Sequence, residues 1–113
     1  MNLNEYQTKI KRYDCFEATD DLGNPGFVAK ILGLTEEAGE VSGKFKKVLR
    51  DDGGKISAEK KEEIEKELGD VLWYVATIAR YLGIELEEVA EKNVEKLESR
   101  LKRNVLHGAG DNR

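Results

Sequence analysis

The stretch Glu36-Glu37-Ala38-Gly39-Glu40 places three carboxylates within five residues of a long predicted helix. A second acidic pair, Glu67 and Asp70, follows in the next predicted helix. Residues three or four apart share one face of a helix, so Glu37 and Glu40 project together. The same spacing puts the second pair on one face. Like charges held this close repel each other, so a positive group has to offset them.

A divalent cation is one way to offset this charge, because hard cations such as magnesium prefer oxygen ligands. The alternative is a pair of solvated acidic helix faces, which is the ordinary meaning of any single E-x-x-E in a Glu-rich chain. The surroundings of the second pair favour a site. Apolar residues from Leu68 to Leu82 wrap nearly the whole helix, which predicts burial on several sides. Buried carboxylates need partners or protons.

The helix that carries the first acidic stretch is predicted from about Phe27 to Arg50. Its apolar residues recur in steps of four and three, a narrow seam of the coiled-coil kind. They are Phe27, Ile31, Leu34, Ala38, Val41, Phe45 and Val48. Three glycines, Gly33, Gly39 and Gly43, each cost about 1 kcal/mol relative to Ala in a helix. They either admit a close approach by another group or simply weaken the helix.

Three further helices are predicted by the same periodicity and by capping residues. The first carries Leu3, Tyr6, Ile10 and Tyr13 behind Asn2 or Asn4, and a turn at 20–26 follows it. The third runs from about Ala58 to Leu82 behind Ser57, and Gly83 ends it. The fourth runs from about Leu86 to Val105. With almost no strand signal, the chain is predicted to be one all-α domain over residues 1–113, a four-helix bundle.

Composition excludes several classes of protein. The net charge of -4 argues against binding a nucleic-acid polymer, which needs a basic surface. The longest apolar run, Val71 to Ile78, is too short to span a membrane, and no signal peptide is apparent at the N-terminus. The single Cys15, expected to be half-buried, cannot form an intramolecular disulfide. We therefore expect a cytoplasmic protein without a membrane partner.

The fourth helix supplies polar candidates for ligand binding. Asn93 falls within its apolar stripe, with Lys96 and Arg100 beside it. An inward amide needs partners, and the two cations can contact phosphate. The alternative is an interhelical polar pair with cations that reach solvent. Tyr74, four residues after Asp70, shares that residue's flank and is either a substrate contact or a packed core residue.

These motifs together resemble the MazG-like, all-α nucleoside triphosphate pyrophosphohydrolases. EEAGE at 36–40 followed by ELGD at 67–70 is similar to that family's E-E-x-x-E…E-x-x-D pattern. EKNVEKLESR at 91–100 is similar to its third segment, K-N-x-x-K-L-x-x-R. The resemblance covers most of the chain, from about Asn24 onward. The three segments in order are fairly specific for the superfamily and poorly specific for the substrate.

The resemblance implies a magnesium enzyme, with manganese as a possible substitute, that splits a nucleoside triphosphate into the monophosphate and pyrophosphate. Carried over by position, the metal ligands are Glu37, Glu40, Glu67 and Asp70, and Glu36 helps to activate water. The resemblance also places Asn93, Lys96 and Arg100 near the nucleotide and its phosphates. It places Tyr74 beside the sugar.

The resemblance further implies a bundle completed by oligomerisation, as a dimer or a dimer of dimers. The role we expect is nucleotide-pool cleaning, with signalling as the alternative. Composition alone predicts disorder for the tail HGAGDNR at 107–113, but a similar tail in some small members suggests folding over a neighbouring subunit. Base-reading residues are not identifiable, and we look for them in the first helix at Tyr6, Gln7 and Ile10.

Three alternatives stay open at this stage. Phosphoribosyl-ATP pyrophosphohydrolase shares the fold and the acidic helices. A non-catalytic helical dimerisation or binding module would leave the acids solvated or structural. A di-iron carboxylate bundle normally needs E-x-x-H pairs, and His107 is the only histidine.

Overall fold

The computed structural model describes residues 1–113 and contains four α-helices and no strand. They are α1 (Leu3–Ile10), α2 (Pro25–Asp51), α3 (Ala58–Tyr81) and α4 (Leu86–Lys102). A 3-10 turn, Lys11–Tyr13, extends α1. The all-α prediction is therefore confirmed, with α4 ending three residues earlier than expected. None of the helices has the length and apolar character needed to cross a membrane.

Local capping explains where the first three helices start. The Asn2 side chain accepts from the Glu5 N–H, and Glu5 accepts from the Asn2 N–H in return, which forms a capping box. Asn24 caps α2, whose first residue is Pro25. Ser57 accepts from the Lys60 N–H at the start of α3. Each cap satisfies N–H groups that the helix itself leaves free.

The long helices α2 and α3 form a close antiparallel pair, and Gly33 sets their separation. A Cβ at Gly33 would lie 2.2 Å from Cε1 of Tyr74, so the Tyr74 ring occupies the space that a side chain would fill. By contrast, a Cβ at Gly39 or Gly43 would meet nothing within 4 Å. Of the two explanations for these glycines, close approach therefore holds for Gly33. The other two have no packing partner within this chain.

Side chains of α1 form hydrogen bonds with the C-terminal part of α3 and the N-terminus of α4. The buried Gln7 amide donates to the carbonyls of Ala76 (3.1 Å) and Ile84 (2.9 Å) and accepts from the Leu86 N–H (3.1 Å). Asn4 accepts from the Glu87 N–H at 3.0 Å. These α1 side chains replace the Ser or Thr cap that α4 lacks in its own sequence.

The same contacts show how the three α1 residues at which we look for base recognition are placed. The amide of Gln7 makes its hydrogen bonds to backbone groups inside the protein. Ile10 belongs to the apolar core with Ala76 and Leu86. Both residues are buried because they join helices. Tyr6 is the one predicted base-reading residue that keeps a half-buried position.

A buried ionic cluster fixes the segment between α1 and α2. The Asp14 carboxylate is 1% exposed and pairs with Lys30 (3.0 Å) and Arg80 (2.5 Å). It also accepts from the Tyr81 hydroxyl at 2.7 Å. Burial alone would raise the pKa of Asp14, but hydrogen bonds from Tyr81, the Phe16 N–H and Lys30 hold that pKa below its ordinary value. Cys15, next to this cluster, is exposed rather than half-buried.

Much of the predicted apolar seam is uncovered in a single chain. Phe27 and Val48 are buried, but Phe45 is 45% exposed, and Leu68 on α3 is 52% exposed. Further exposed apolar residues on α2, α3 and α4 are Ile31, Leu32, Leu49, Leu72, Val89, Val94, Leu97 and Leu101. The second half of α3 is thus buried on part of its circumference, with Ala76 and Ala79 inside, while Leu68 and Leu72 lie on a face that no element of the chain covers. The radius of gyration is 16.9 Å, against about 13 Å for a compact domain of this length.

The C-terminal tail folds back on its own helix. The Arg113 guanidinium donates to the carbonyls of Val105, Leu106 and Gly110. Gly110 has φ +84°, a conformation that favours glycine. The disorder predicted from composition is therefore not what the structure shows, because Arg113 supplies donors for carbonyls that follow the helix.

We expect Gly33 and Gly39 of α2 to respond in opposite ways to substitution. Gly33→Ala should destabilise the fold by about 1–3 kcal/mol, because its methyl group meets the Tyr74 ring. Gly39→Ala, in open space on the same helix, should stabilise it by up to about 1 kcal/mol. Chemical denaturation of both variants checks this, and equal effects would contradict the packing role of Gly33.

Candidate metal and nucleotide site

The predicted acidic stretches converge between α2 and α3. Carboxylate oxygens of Glu37, Glu67 and Asp70 lie within 4.8 Å of one another. Glu37 follows Gly33 by one turn, and Asp70 precedes Tyr74 by one turn, so the Gly33–Tyr74 contact holds the two acids opposite each other. The structure therefore brings together three of the four predicted ligands.

Glu40 and Glu36 lie outside this group of three. Both are exposed, as the angular positions on α2 predict for Glu36. Glu40 still acts on the group through its charge, since it contributes to the raised pKa of Glu37. Asp70 is also exposed, and Glu37 and Glu67 are half-buried, so the site opens to solvent.

Repulsion within the cluster is visible in the pKa of Glu37. Burial and the charges of Asp70, Glu36 and Glu67 all raise that pKa above its ordinary value. The neighbouring tyrosines respond to the same charges. Burial, followed by Glu37, raises the pKa of Tyr74.

Tyr6 of α1 packs against the apolar core and is also within reach of the charge of Asp70. Burial and the charge of Asp70 raise the pKa of its hydroxyl. Its helical spacing predicted an inward position, but nothing in the spacing linked it to an acid on α3. The charge of Asp70 therefore acts on both Tyr6 and Tyr74.

Lys44 is the one cation that pairs directly with this cluster, and sequence reasoning did not assign it a role. Its Nζ lies 3.3 Å from Oε1 of Glu67 and 3.6 Å from Oε2 of Glu63. The hydrogen bond to Glu67 raises the pKa of Lys44, so the ammonium stays charged at neutral pH. Lys44 follows Glu40 by four residues, a spacing that could have suggested its proximity.

The three carboxylates fit a magnesium ion. Oxygens that share one octahedral magnesium at about 2.1 Å lie about 3.0–4.2 Å apart. The three oxygens are within 4.8 Å of one another, so small side-chain rotations suffice to bring them to that spacing. Their charge and hard oxygen donors also suit magnesium better than a softer metal.

The predicted phosphate-binding residues are distributed over α4. Asn93 and Lys96 line a cavity of about 610 Å³ together with Leu3 and Leu72. None of the acidic cluster lines this cavity. At α3 the cavity is lined by Leu72, which follows Asp70 by two residues and therefore faces a different side of the helix. Within one chain the structure does not bring this cavity and the acidic cluster together.

Arg100 is covered by the tail instead of facing the cavity. Its side chain is 6% exposed, and Nη2 donates to the Asp111 carbonyl at 2.8 Å. The Asp111 carboxylate lies 3.4 Å from Arg100 and 3.8 Å from Lys96. Both cations that were predicted to bind phosphate thus already contact one carboxylate.

Residues 28–105 match the model of the MazG nucleotide pyrophosphohydrolase domain. The chain belongs to this family. That span contains the acidic cluster, Lys44 and the polar residues of α4. The MazG domain implies nucleoside triphosphate pyrophosphohydrolysis in general and use of a divalent metal.

A relative covers the whole chain. The gene 37 protein of Mycobacterium phage L5 is 49% identical over 114 residues, which span all of both proteins. The name of this relative does not specify an activity. No solved structure matches this MazG-domain chain.

Replacing Glu37 should stabilise the protein in a pH-dependent way. A pKa raised in the folded state means that the native protein binds the proton more tightly, so stability is lost as pH rises through that value. In EDTA at neutral pH, Glu37→Gln should therefore raise Tm by several degrees, and the gain should vanish near about pH 4. Thermal unfolding at both pH values checks this.

Glu62→Gln is the matched control, since Glu62 is exposed on α3 and outside the cluster. Its effect should be small at both pH values. A stabilisation by Glu37→Gln that is independent of pH would contradict the electrostatic explanation.

Proposed function

We propose that this MazG-family protein is a magnesium-dependent enzyme that hydrolyses nucleoside triphosphates between the α- and β-phosphates. The products are the nucleoside monophosphate and pyrophosphate, and the role is nucleotide-pool cleaning. One observation carries the proposal: within a MazG domain, carboxylates from two helices converge to within 4.8 Å.

In this proposal Glu37, Glu67 and Asp70 hold the metal, and Glu40 completes the set by rotating toward them from the next turn of α2. Bound magnesium supplies charge neutralisation for the phosphates and lowers the pKa of a water molecule. Manganese has the same preference for oxygen ligands and is the expected substitute. Glu36 is exposed next to Glu37, where it can accept a proton from the attacking water.

The remaining residues position the nucleotide. The Tyr74 ring lies against Gly33, one helical turn from Asp70, and in this proposal it packs on the sugar. Asn93 and Lys96 line a cavity on α4, and we assign them to the phosphates because their segment resembles the third motif of the family. The guanidinium of Arg100 donates to the carbonyl of Asp111 in the tail. In this proposal the tail therefore has to release Arg100 before this residue can bind the phosphates. Water adds across the α–β anhydride, and pyrophosphate departs with the electron pair of the broken P–O bond.

Turnover of a panel of ribo- and deoxynucleoside triphosphates, with magnesium or with EDTA, tests the reaction. We expect magnesium-dependent release of pyrophosphate, and losses of at least about a hundredfold in Glu37→Gln and Asp70→Asn. Glu62→Gln is expected to match wild type. Release of orthophosphate, or full turnover in either site variant, would overturn the assignment.

The same panel separates the alternatives. Including phosphoribosyl-ATP identifies the related pyrophosphohydrolase if that compound is the preferred substrate. A folded protein that turns over no member, with Glu37→Gln indistinguishable from wild type, would favour a non-catalytic dimerisation module.

We also propose that the chain acts as a homodimer or a dimer of dimers. The exposed apolar side chains on α2, α3 and α4 and the large radius of gyration support this, because monomers rarely expose extended apolar faces. A second copy offers the same apolar faces in return, which is the usual arrangement in a symmetric dimer.

Light scattering coupled to size exclusion should give two or four times the chain mass of 12.7 kDa. Phe45→Glu, on the exposed seam of α2, should shift the mass toward 12.7 kDa because a charge cannot be buried without a partner. Leu22→Glu is the control, since Leu22 is equally apolar but lies in the turn before α2. A monomeric wild type would refute the proposal.

A further inference from the structure

Lys44 has a geometry that metal binding alone does not explain. Its ammonium contacts Glu67, a residue of the acidic cluster, and also Glu63, which is outside that cluster. The two acids lie four residues apart on α3, so they occupy the same face one turn apart. Lys44 thus stands between a metal-site carboxylate and a second carboxylate that the site does not use.

A metal ion and an ammonium group on one carboxylate repel each other. Lys44 is 3.3 Å from Oε1 of Glu67, and an octahedral magnesium on the same carboxylate would lie at about 2.1 Å from its ligand oxygen. Two cations this close oppose each other, and the partial exposure of Lys44 (24%) and Glu67 (18%) lets water reduce the repulsion without removing it. Occupation by metal therefore favours withdrawal of the ammonium.

The carboxylate of Glu63 is an alternative partner for the Lys44 ammonium. Its Oε2 is already 3.6 Å from Lys44 Nζ, so the flexible side chain needs to move little to make it the main partner. Lys60 also binds Oε2 of Glu63, at 3.1 Å, so Lys44 shares this carboxylate with another ammonium. The single charge of Lys60 repels Lys44 less than the double charge of a metal ion on Glu67 would. Glu63 thus receives Lys44 without a change in the helices.

We propose that Lys44 competes with the divalent cation for Glu67 and, when displaced, transfers to Glu63, so that this lysine sets the metal affinity of the site. Lys44 is a positioning residue in this proposal and does not touch the nucleotide. The inference rests on the proposed metal site at Glu37, Glu67 and Asp70.

The test is calorimetric titration with MgCl₂, repeated with MnCl₂, in the absence of nucleotide. Lys44→Met should bind either metal about threefold to tenfold more tightly than wild type, because the competing charge is gone. Lys44→Arg should bind it more weakly, since the guanidinium holds a carboxylate by two hydrogen bonds. Opposite signs for these two variants separate competition from loss of folding.

Lys46→Met controls for the general loss of a positive charge from α2. Lys46 is exposed and forms none of the ion pairs of the structure, so its removal should change affinity by less than about twofold. An equal effect of Lys46→Met and Lys44→Met would overturn the proposal.

Transfer to Glu63 is tested by a double-mutant cycle. Glu63→Gln should weaken metal binding in the wild-type background, because Lys44 then loses its second partner. In the Lys44→Met background the same change should have little effect, and the difference measures the coupling. Equal effects in both backgrounds would exclude the transfer.

The outcomes distinguish this inference from the proposed function. No metal binding by wild type, in a protein folded by circular dichroism, would reject the metal site itself. Normal binding by wild type with unchanged or weaker binding in Lys44→Met would leave the site in place and reject competition by Lys44.

Discussion

The close packing of α2 on α3 is the contact on which the site depends. Gly33 lets the Tyr74 ring approach the α2 backbone, and the acids one turn away on each helix, Glu37 and Asp70, are thereby brought face to face. Because the helices are antiparallel, moving along α2 from Gly33 and backward along α3 from Tyr74 leads to the same cluster. Helix separation at one point thus determines the spacing of ligands at another.

Bringing carboxylates together costs free energy, and the structure shows how the chain offsets part of it. Glu37 has a raised pKa, while the Glu67 carboxylate is paired with Lys44. The cluster also stays partly open to water, which lowers the cost of its charges. An anionic site that is only partly neutralised from within attracts a divalent cation, in keeping with the metal use of the MazG family.

Outside this pair of helices, buried polar contacts, more than apolar packing, hold the elements of the chain together. Gln7 joins α1 to the ends of α3 and α4, and Asp14 joins the segment after α1 to α2 and α3. Both side chains are buried with several partners each, so they fix geometry as well as contributing energy. The apolar faces that remain exposed are the surfaces on which the proposed oligomer would form.

The sequence by itself determined the four helices and the helix faces of the acids, because capping, periodicity and three-residue spacing are local properties of a helix. It also sufficed for the family, since the motifs occur in order. Only the tertiary structure decided that Glu37 and not Glu40 joins the cluster, that Gln7 is a structural residue, and that Lys44 pairs with Glu67. The same is true of the tail, where Arg113 turns back on α4. These features depend on the rotation and separation of helices and on hydrogen bonds between distant residues, which no local spacing specifies.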